Sequence, residues 1–185
     1  PDKALDSFSD IQKAINFSMT SFLTTGGIRG GSEKIDKFQP RSFNMGISKK
    51  AFEASGGFGN IHPGEDPDLS IRLWKLGFNT KLLTKAYVYH KRRIDWSKFY
   101  NQVFKFGKAR PILNSWYPQY NKLTFFFPTV FIIGFFLSIV LLLFNQDTLL
   151  QLYILYFLVL FLVSTYQNKS LKIGYLSLIA VWKQF

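Results

Sequence analysis

Two uncharged stretches near the end of the chain limit the folds that are open to it. The first, FFFPTVFIIGFFLSIVLLLF, covers residues 125–144, and the second, TLLQLYILYFLVLFLVSTY, covers residues 148–166. Twenty helical residues rise about 30 Å, which matches the hydrocarbon core of a bilayer. Soluble helices rarely stay apolar on every face over this length, so a pair of buried helices in a soluble core is the weaker interpretation. The stretches predict a transmembrane hairpin in a membrane region at 125–185, with a possible third span from residue 173.

Basic residues flank the two stretches on one side only. Lys122 precedes the first, Lys169 and Lys172 follow the second, and the polar turn at 145–147 contains neither Lys nor Arg. Because Lys and Arg are enriched in cytoplasmic loops, this asymmetry places residues 1–124 in the cytoplasm. We therefore expect a multi-pass protein of the cell (inner) membrane.

Charge and cysteine content restrict the partners further. The chain has a formal net charge of +12 and no cysteine. A basic chain suits anionic partners such as phosphates, nucleic acid or an acidic bilayer face. The absence of cysteine excludes disulfides and thiolate metal sites. No nucleic-acid-binding signature occurs, so membrane lipid is an expected partner and nucleic acid is not.

The first 120 residues combine helix and strand patterns, which predicts an α/β fold for this part of the chain. The last of its helices, residues 95–110, is aromatic and basic, so we expect it to lie at the membrane interface. The other predicted elements are helices at 5–23, 49–58 and 67–76, strands at 42–48 and 78–90, and a glycine-rich loop at 24–34.

The stretch HPGEDPDL at 62–69 places three carboxylates within four residues. Asp66 suits the N-cap of a helix and Asp68 complements its dipole, while Glu65 has no such role. Asp66 and Asp68 also form an Asp-x-Asp pair, although a pair of this kind that opens a helix is a poor cation site. An acid at a helix N-terminus stays ionised and can accept a proton, so a general base is the third interpretation. Arg72, one turn further on, is expected to pair with an acid.

Five elements in order resemble the C-terminal half of a family-2 glycosyltransferase with the GT-A fold. The match runs from about Thr24 to Arg110 and continues into the hairpin. It implies the acceptor-side part of a GT-A, Rossmann-like α/β domain, followed by a transmembrane α-helical hairpin. The elements are Asn44 with small neighbours, GGF at 56–58, GED-x-DL-x-x-R-x-x-x-x-G at 64–77, a strand ending at His90, and the aromatic and basic helix.

The resemblance also implies an activity. The expected function is transfer of a sugar, of hexosyltransferase type, from a nucleotide-sugar donor to a hydroxyl of a glycan or lipid-linked acceptor, in polysaccharide or cell-envelope biosynthesis. Asp66 would act as the general base in a single inverting displacement, with the catalytic part in the cytoplasm. Glu65 would orient Asp66 or contact the acceptor.

Further roles follow from the same resemblance. His90 would contact a divalent cation, Mn²⁺ or Mg²⁺, held mainly by an upstream Asp-x-Asp that this sequence lacks; a structural histidine is the alternative. Arg92 and Arg93 would neutralise a diphosphate, or else form a solvated or lipid-facing charge cluster.

Three more residues are expected at the acceptor or diphosphate. Gln102 and Arg110 resemble the Gln-x-x-Arg-Trp signature of processive synthases, but the spacing differs and Pro111 follows, which favours transfer of a single sugar. Arg29 lies in the glycine-rich loop, which is either a lid over donor or acceptor or a plain surface loop.

The nucleotide-binding half of the family is absent from the 185 residues, so we expect the chain alone to be inactive. The alternative function is a non-catalytic basic membrane protein that binds acidic lipid or a protein partner.

Overall fold

The computed structural model describes residues 2–3, 5–25, 37–83 and 85–185, and helices dominate these residues. Short 3-10 turns cover Ser42–Asn44, Pro118–Tyr120 and Leu123–Phe126. The remaining elements, in chain order, are β1 (Asp2–Lys3), α1 (Asp10–Thr20), α2 (Phe22–Thr25), α3 (Lys49–Ala54), α4 (Glu65–Lys75), β2 (Val88–Tyr89), α5 (Trp96–Trp116), α6 (Phe127–Leu142), α7 (Thr148–Asn168) and α8 (Leu171–Gln184).

The predicted α/β fold, a Rossmann-like part of a GT-A domain, is wrong for the described residues. The two strands have two residues each and pair in parallel, with Asp2 opposite Val88. The predicted strand at 42–48 begins as a 3-10 turn, and only the end of the predicted strand at 78–90 is paired. A strand forms only beside a neighbour that completes its backbone hydrogen bonds. In the part of the chain that the structure describes, β1 alone provides one.

The chain divides into two compact units. The first unit contains residues 1–5, 30–90 and 101–121, and the second contains residues 6–29, 91–100 and 122–185. Helix α1, which the sequence analysis assigned to the soluble part, therefore belongs to the unit that contains the apolar helices.

The first unit is organised around helix α4, which buries residues on two sides. Leu69 and Leu73 pack with Ala51 of α3. On the other side, Ile71 joins a cluster that also contains Ile61, Ala109, Leu113 and Tyr117. Helix α3 ends at Ala54, before the end of the helix predicted at 49–58, because Gly56 and Gly57 both adopt positive φ, at 73° and 71°.

The second unit contains two helical segments long and apolar enough to cross a membrane, Leu123–Leu142 and Thr148–Asn168. Little of either segment is buried against the rest of the chain. Apolar helices that stay exposed on most faces suit a lipid environment better than water, so these segments support the predicted hairpin. Helix α8 begins where the third span was predicted and has 14 residues.

Helices α7 and α8 pack closely through small and polar residues. The hydroxyls of Ser164 and Ser177 lie 2.6 Å apart, and both side chains are buried. Gly174 faces Thr165 and Phe161, and a Cβ atom at this position would overlap the Thr165 hydroxyl. Small residues that let helix backbones approach are typical of helix pairs in membranes.

We therefore expect Gly174→Val to destabilise the second unit by about 1–3 kcal/mol, because the added atoms overlap Thr165 and Phe161. The measurement is the thermal unfolding midpoint of the detergent-solubilised protein. Gly107→Val on α5 is the matched control, since a Cβ atom added to Gly107 would meet no neighbouring atom within 4 Å. Equal midpoints for the two variants would contradict the close packing of α7 and α8.

Candidate active site

The acidic stretch forms the start of helix α4, but not in the register that the sequence predicted. The helix begins at Glu65, and Gly64, with φ 127°, is its N-cap residue. The predicted N-cap role of Asp66 is therefore wrong. The Glu65 carboxylate instead accepts a hydrogen bond from the Gly64 N–H at 2.9 Å and lies 3.1 Å from His62 Nδ1. This local contact starts the helix one residue before Asp66.

Because the Asp66 side chain does not cap helix α4, it can contact a residue that is distant in sequence. Its Oδ1 atom accepts a hydrogen bond from the backbone N–H of Ser42 at 3.0 Å. Burial raises the pKa of the Asp66 carboxyl, and the neighbouring Glu65 charge acts in the same direction. The Ser42 hydroxyl and N–H oppose this rise because they stabilise the ionised form. Asp66 is thus a half-buried carboxylate held by one residue of a 3-10 turn.

Asp68 is the buried carboxylate that joins three segments of the first unit. Its Oδ2 atom accepts hydrogen bonds from Arg72 at 3.1 and 2.8 Å, which confirms the predicted pairing of Arg72 with an acid. Its Oδ1 atom accepts a hydrogen bond from the Tyr117 hydroxyl at 2.5 Å. Burial and the Asp68 contact together raise the pKa of Tyr117 to about 12, so the phenol stays protonated and acts as the donor.

The Arg72 guanidinium extends this network to the glycine turn after α3. It donates to the carbonyls of Ser55 and Gly57, the latter at 2.7 Å. Gly59 lies so close that a Cβ atom there would be 2.6 Å from Asp68 Oδ2. The GGF turn, the start of α4 and the residue after α5 are therefore held together by one partly buried charge pair and the Tyr117 hydroxyl.

Aromatic side chains lie beside Ser42. The ring of Phe43 stacks on the ring of His90, with centroids 4.3 Å apart. Tyr87 and Tyr89 form an edge-to-face pair with centroids 5.8 Å apart, and both are exposed. Among the described residues, no group of three or more His, Asp or Glu side chains could hold a metal ion. The residues around His90 therefore do not fit a cation site by themselves, and its metal role stays a prediction.

The predicted diphosphate-binding residues have different surroundings. Arg92 is buried, and its Nε atom donates to Asn16 Oδ1 at 2.9 Å, whereas Arg93 is exposed. Gln102 and Arg110 are half-buried on α5. Burial lowers the pKa of the Arg110 guanidinium, and the positive charge of Arg41 adds to this effect.

Arg29 and most of the glycine-rich loop lie outside the described residues. The roles predicted for these arginines and for Gln102 remain predictions.

Comparison with known protein families identifies the family of this chain. The profile of glycosyl transferase family group 2 matches residues 43–166, which is more than half of the chain. The chain belongs to this family. No curated protein and no solved structure matches the chain significantly. Membership supports glycosyl transfer in general, with a nucleotide-sugar donor and an acceptor as the substrates.

The family match includes most of the candidate site, and Ser42 lies one residue before its start. Helix α4 with Glu65 and Asp66 lies near its start, and the two apolar helices lie at its end. The predicted resemblance to family-2 glycosyltransferases is thus confirmed, while the fold expected from it is not.

Two residues of this site were missed by the sequence analysis. Ser42 acts through its backbone N–H, which every non-proline residue has, and through a hydroxyl that nothing in the sequence marks as a partner of Asp66. Tyr117 follows helix α5 and is 49 residues from Asp68. No feature of the sequence distinguishes it from the neighbouring aromatic residues Trp116 and Tyr120.

We expect Tyr117→Phe to lower the free energy of unfolding by about 1.5–3 kcal/mol, because Asp68 loses a hydrogen bond to a buried charge. Tyr120→Phe is the matched control, since the Tyr120 ring packs against the same cluster from a partly buried position. The thermal midpoints of the two variants in detergent are the measurement. An unchanged midpoint for Tyr117→Phe would mean that the hydroxyl contributes nothing to the network.

Proposed function

We propose that this chain is the acceptor-side part of a membrane-anchored glycosyltransferase that transfers a sugar from a nucleotide-sugar donor to a hydroxyl acceptor with inversion. Asp66 is the general base in this proposal. It removes the proton from the acceptor hydroxyl as the oxygen attacks the anomeric carbon. The bond from that carbon to the nucleoside diphosphate breaks in the same step, and the diphosphate leaves with its electron pair.

The proposal rests on the position and the environment of the Asp66 carboxylate. A general base needs a fixed position and a pKa closer to neutrality than that of a free aspartate. The Ser42 N–H fixes one carboxylate oxygen, and burial raises the pKa. Asp68, two residues later, cannot take this role because both of its oxygens are occupied by Arg72 and Tyr117 in a buried site.

The membrane part of the proposal rests on the two apolar helices. Both lie within the family match or overlap its end, so the hairpin belongs to the same region as the candidate site. Helix α5 supports an interfacial position, because Lys98, Lys105 and Lys108 alternate with exposed aromatic residues, among them Tyr100 and Phe104. The lysines suit the anionic headgroups of a cytoplasmic leaflet. A glycan or lipid-linked acceptor at this surface fits the same arrangement.

In the full-length protein, we expect Asp66→Asn to reduce kcat for sugar transfer by about 10²–10⁴-fold, because the amide cannot accept the proton. The KM for the donor should stay unchanged, since the base contacts the acceptor. The measurement is release of nucleoside diphosphate coupled to product formation.

Glu53→Gln is the control, because Glu53 is an exposed carboxylate of α3 that pairs with Lys49 on the surface. Both variants should insert into membranes and unfold at similar temperatures. Transfer by Asp66→Asn within about tenfold of wild type would refute Asp66 as the base. Absence of transfer by the wild-type protein itself would favour a non-catalytic protein that binds acidic lipid or a partner.

The contact with Ser42 predicts a pH dependence. A raised pKa in the folded protein means that Asp66 becomes an active base only above the usual range of an aspartate. Removing a donor that stabilises the carboxylate raises this pKa further. The acid limb of kcat/KM should therefore move to higher pH in Ser42→Ala, which lacks the hydroxyl, and further in Ser42→Pro, which also lacks the N–H.

Proline is compatible with this position, because Arg41 has φ −100° and ψ 138° and residue 42 opens a helical turn. Ser115→Ala, on the exposed side of α5, is the control and should leave the acid limb in place. If Ser42→Pro has the wild-type acid limb, the group that titrates is not Asp66.

A further inference from the structure

Within the second unit, helix α1 packs mainly against helix α8, and α1 and α2 also contact helix α7. At one end, the Asp10 carboxylate lies 2.8 Å from Lys172 Nζ, just beyond the C-terminus of α7. At the other end, the carbonyl of Leu23 accepts a hydrogen bond from the Tyr156 hydroxyl at 3.0 Å. Between them, the buried ring of Phe17 packs in one cluster with residues of α7 and α8. The segment thus runs antiparallel to α7.

The hydrogen bond between Tyr156 and Leu23 shows how far along helix α7 the segment of α1 and α2 extends. Tyr156 precedes Asn168, the last residue of α7, by about twelve residues, which is about 18 Å along the helix axis. The ring of Phe131, near the middle of the first apolar segment, lies 5.5 Å from the Tyr156 ring. Leu23 is therefore level with the middle of both apolar segments.

The composition of the segment changes along this path. Its first half contains Asp10, Lys13 and the polar side chains of Gln12 and Asn16, which contact Arg92. From residue 14 to residue 28 there is no charged side chain. Charged groups therefore lie at the end of α7, and uncharged residues lie beside its middle.

At the bend between α1 and α2, three backbone carbonyls accept hydrogen bonds from side chains of the protein. The helix stops at Ser21, which is extended with ψ 140°. The Thr24 hydroxyl donates to the Ser18 carbonyl at 2.6 Å, the Thr25 hydroxyl donates to the Ser21 carbonyl at 2.8 Å, and Tyr156 supplies the donor for Leu23. Irregular backbone is tolerated at membrane depth only where such internal partners replace water.

We propose that α1 and α2 form a membrane-inserted segment that enters the bilayer beside the C-terminal end of α7 and reaches the level of the bilayer centre at Leu23. Its partner is the acyl-chain region of the lipid, which Phe22 contacts with a side chain that is 75% exposed. This inference rests on the proposed membrane hairpin and replaces the expectation that the segment is cytoplasmic.

The absence of cysteine from the chain allows a direct depth measurement. Single cysteines are introduced by Phe22→Cys, by Ile133→Cys in α6 and by Lys50→Cys on the exposed surface of α3, in full-length protein with any cysteine elsewhere replaced by serine. Each variant is spin-labelled and reconstituted in vesicles of phosphatidylethanolamine and phosphatidylglycerol. The observable is the ratio of collision rates with O₂, which enters the hydrocarbon, and with a polar nickel complex, which does not.

The ratio of the O₂ collision rate to the nickel-complex collision rate at position 22 should lie within about twofold of the ratio at position 133. It should be about tenfold above the ratio at position 50, because the hydrocarbon core excludes the polar complex. If position 22 matches position 50 while position 133 has the lipid value, the membrane-inserted segment is refuted and the hairpin stands. If position 133 itself has the aqueous value, the hairpin is refuted and the membrane-inserted segment with it.

Discussion

The ion pair between the buried Asp68 and the partly buried Arg72 is the constraint on which the candidate site depends. A buried carboxylate is costly unless it is paired and hydrogen-bonded, and Arg72 and Tyr117 meet that requirement on its two oxygens. Because Arg72 also holds the carbonyls of the glycine turn, the network fixes three segments of the first unit in one arrangement. Removing one partner would leave a buried charge without compensation. The neighbouring Asp66 is thereby held at the start of a helix that cannot shift.

This arrangement separates two carboxylates that look equivalent in sequence. Asp68 serves structure, whereas Asp66 is half-buried, held by Ser42 and has a raised pKa. In a glycosyl transferase of family group 2, a carboxylate with these properties is suited to accept the proton of an acceptor hydroxyl. The apolar helices and the basic, aromatic helix α5 would keep the reaction at the membrane surface, where a glycan or lipid-linked acceptor is accessible.

The sequence predicted the helices well because their signals are local. Apolar runs identified both long helices to within about two residues, and the Asp68–Arg72 pair follows from i,i+4 spacing. The strands were predicted wrongly, because a strand depends on a partner that the pattern does not specify. The contact between Ser42 and Asp66 spans 24 residues through a backbone N–H, so it could be found only from the structure.

The central claim is that Asp66 supports a single displacement at the anomeric carbon. The most direct test is the stereochemistry of transfer by the full-length protein, read from the ¹H NMR coupling of the anomeric proton in the newly formed glycosidic bond. A single displacement predicts a product whose anomeric configuration is opposite to that of the nucleotide-sugar donor. Retention of the donor configuration would require a second displacement and would contradict the role assigned to Asp66.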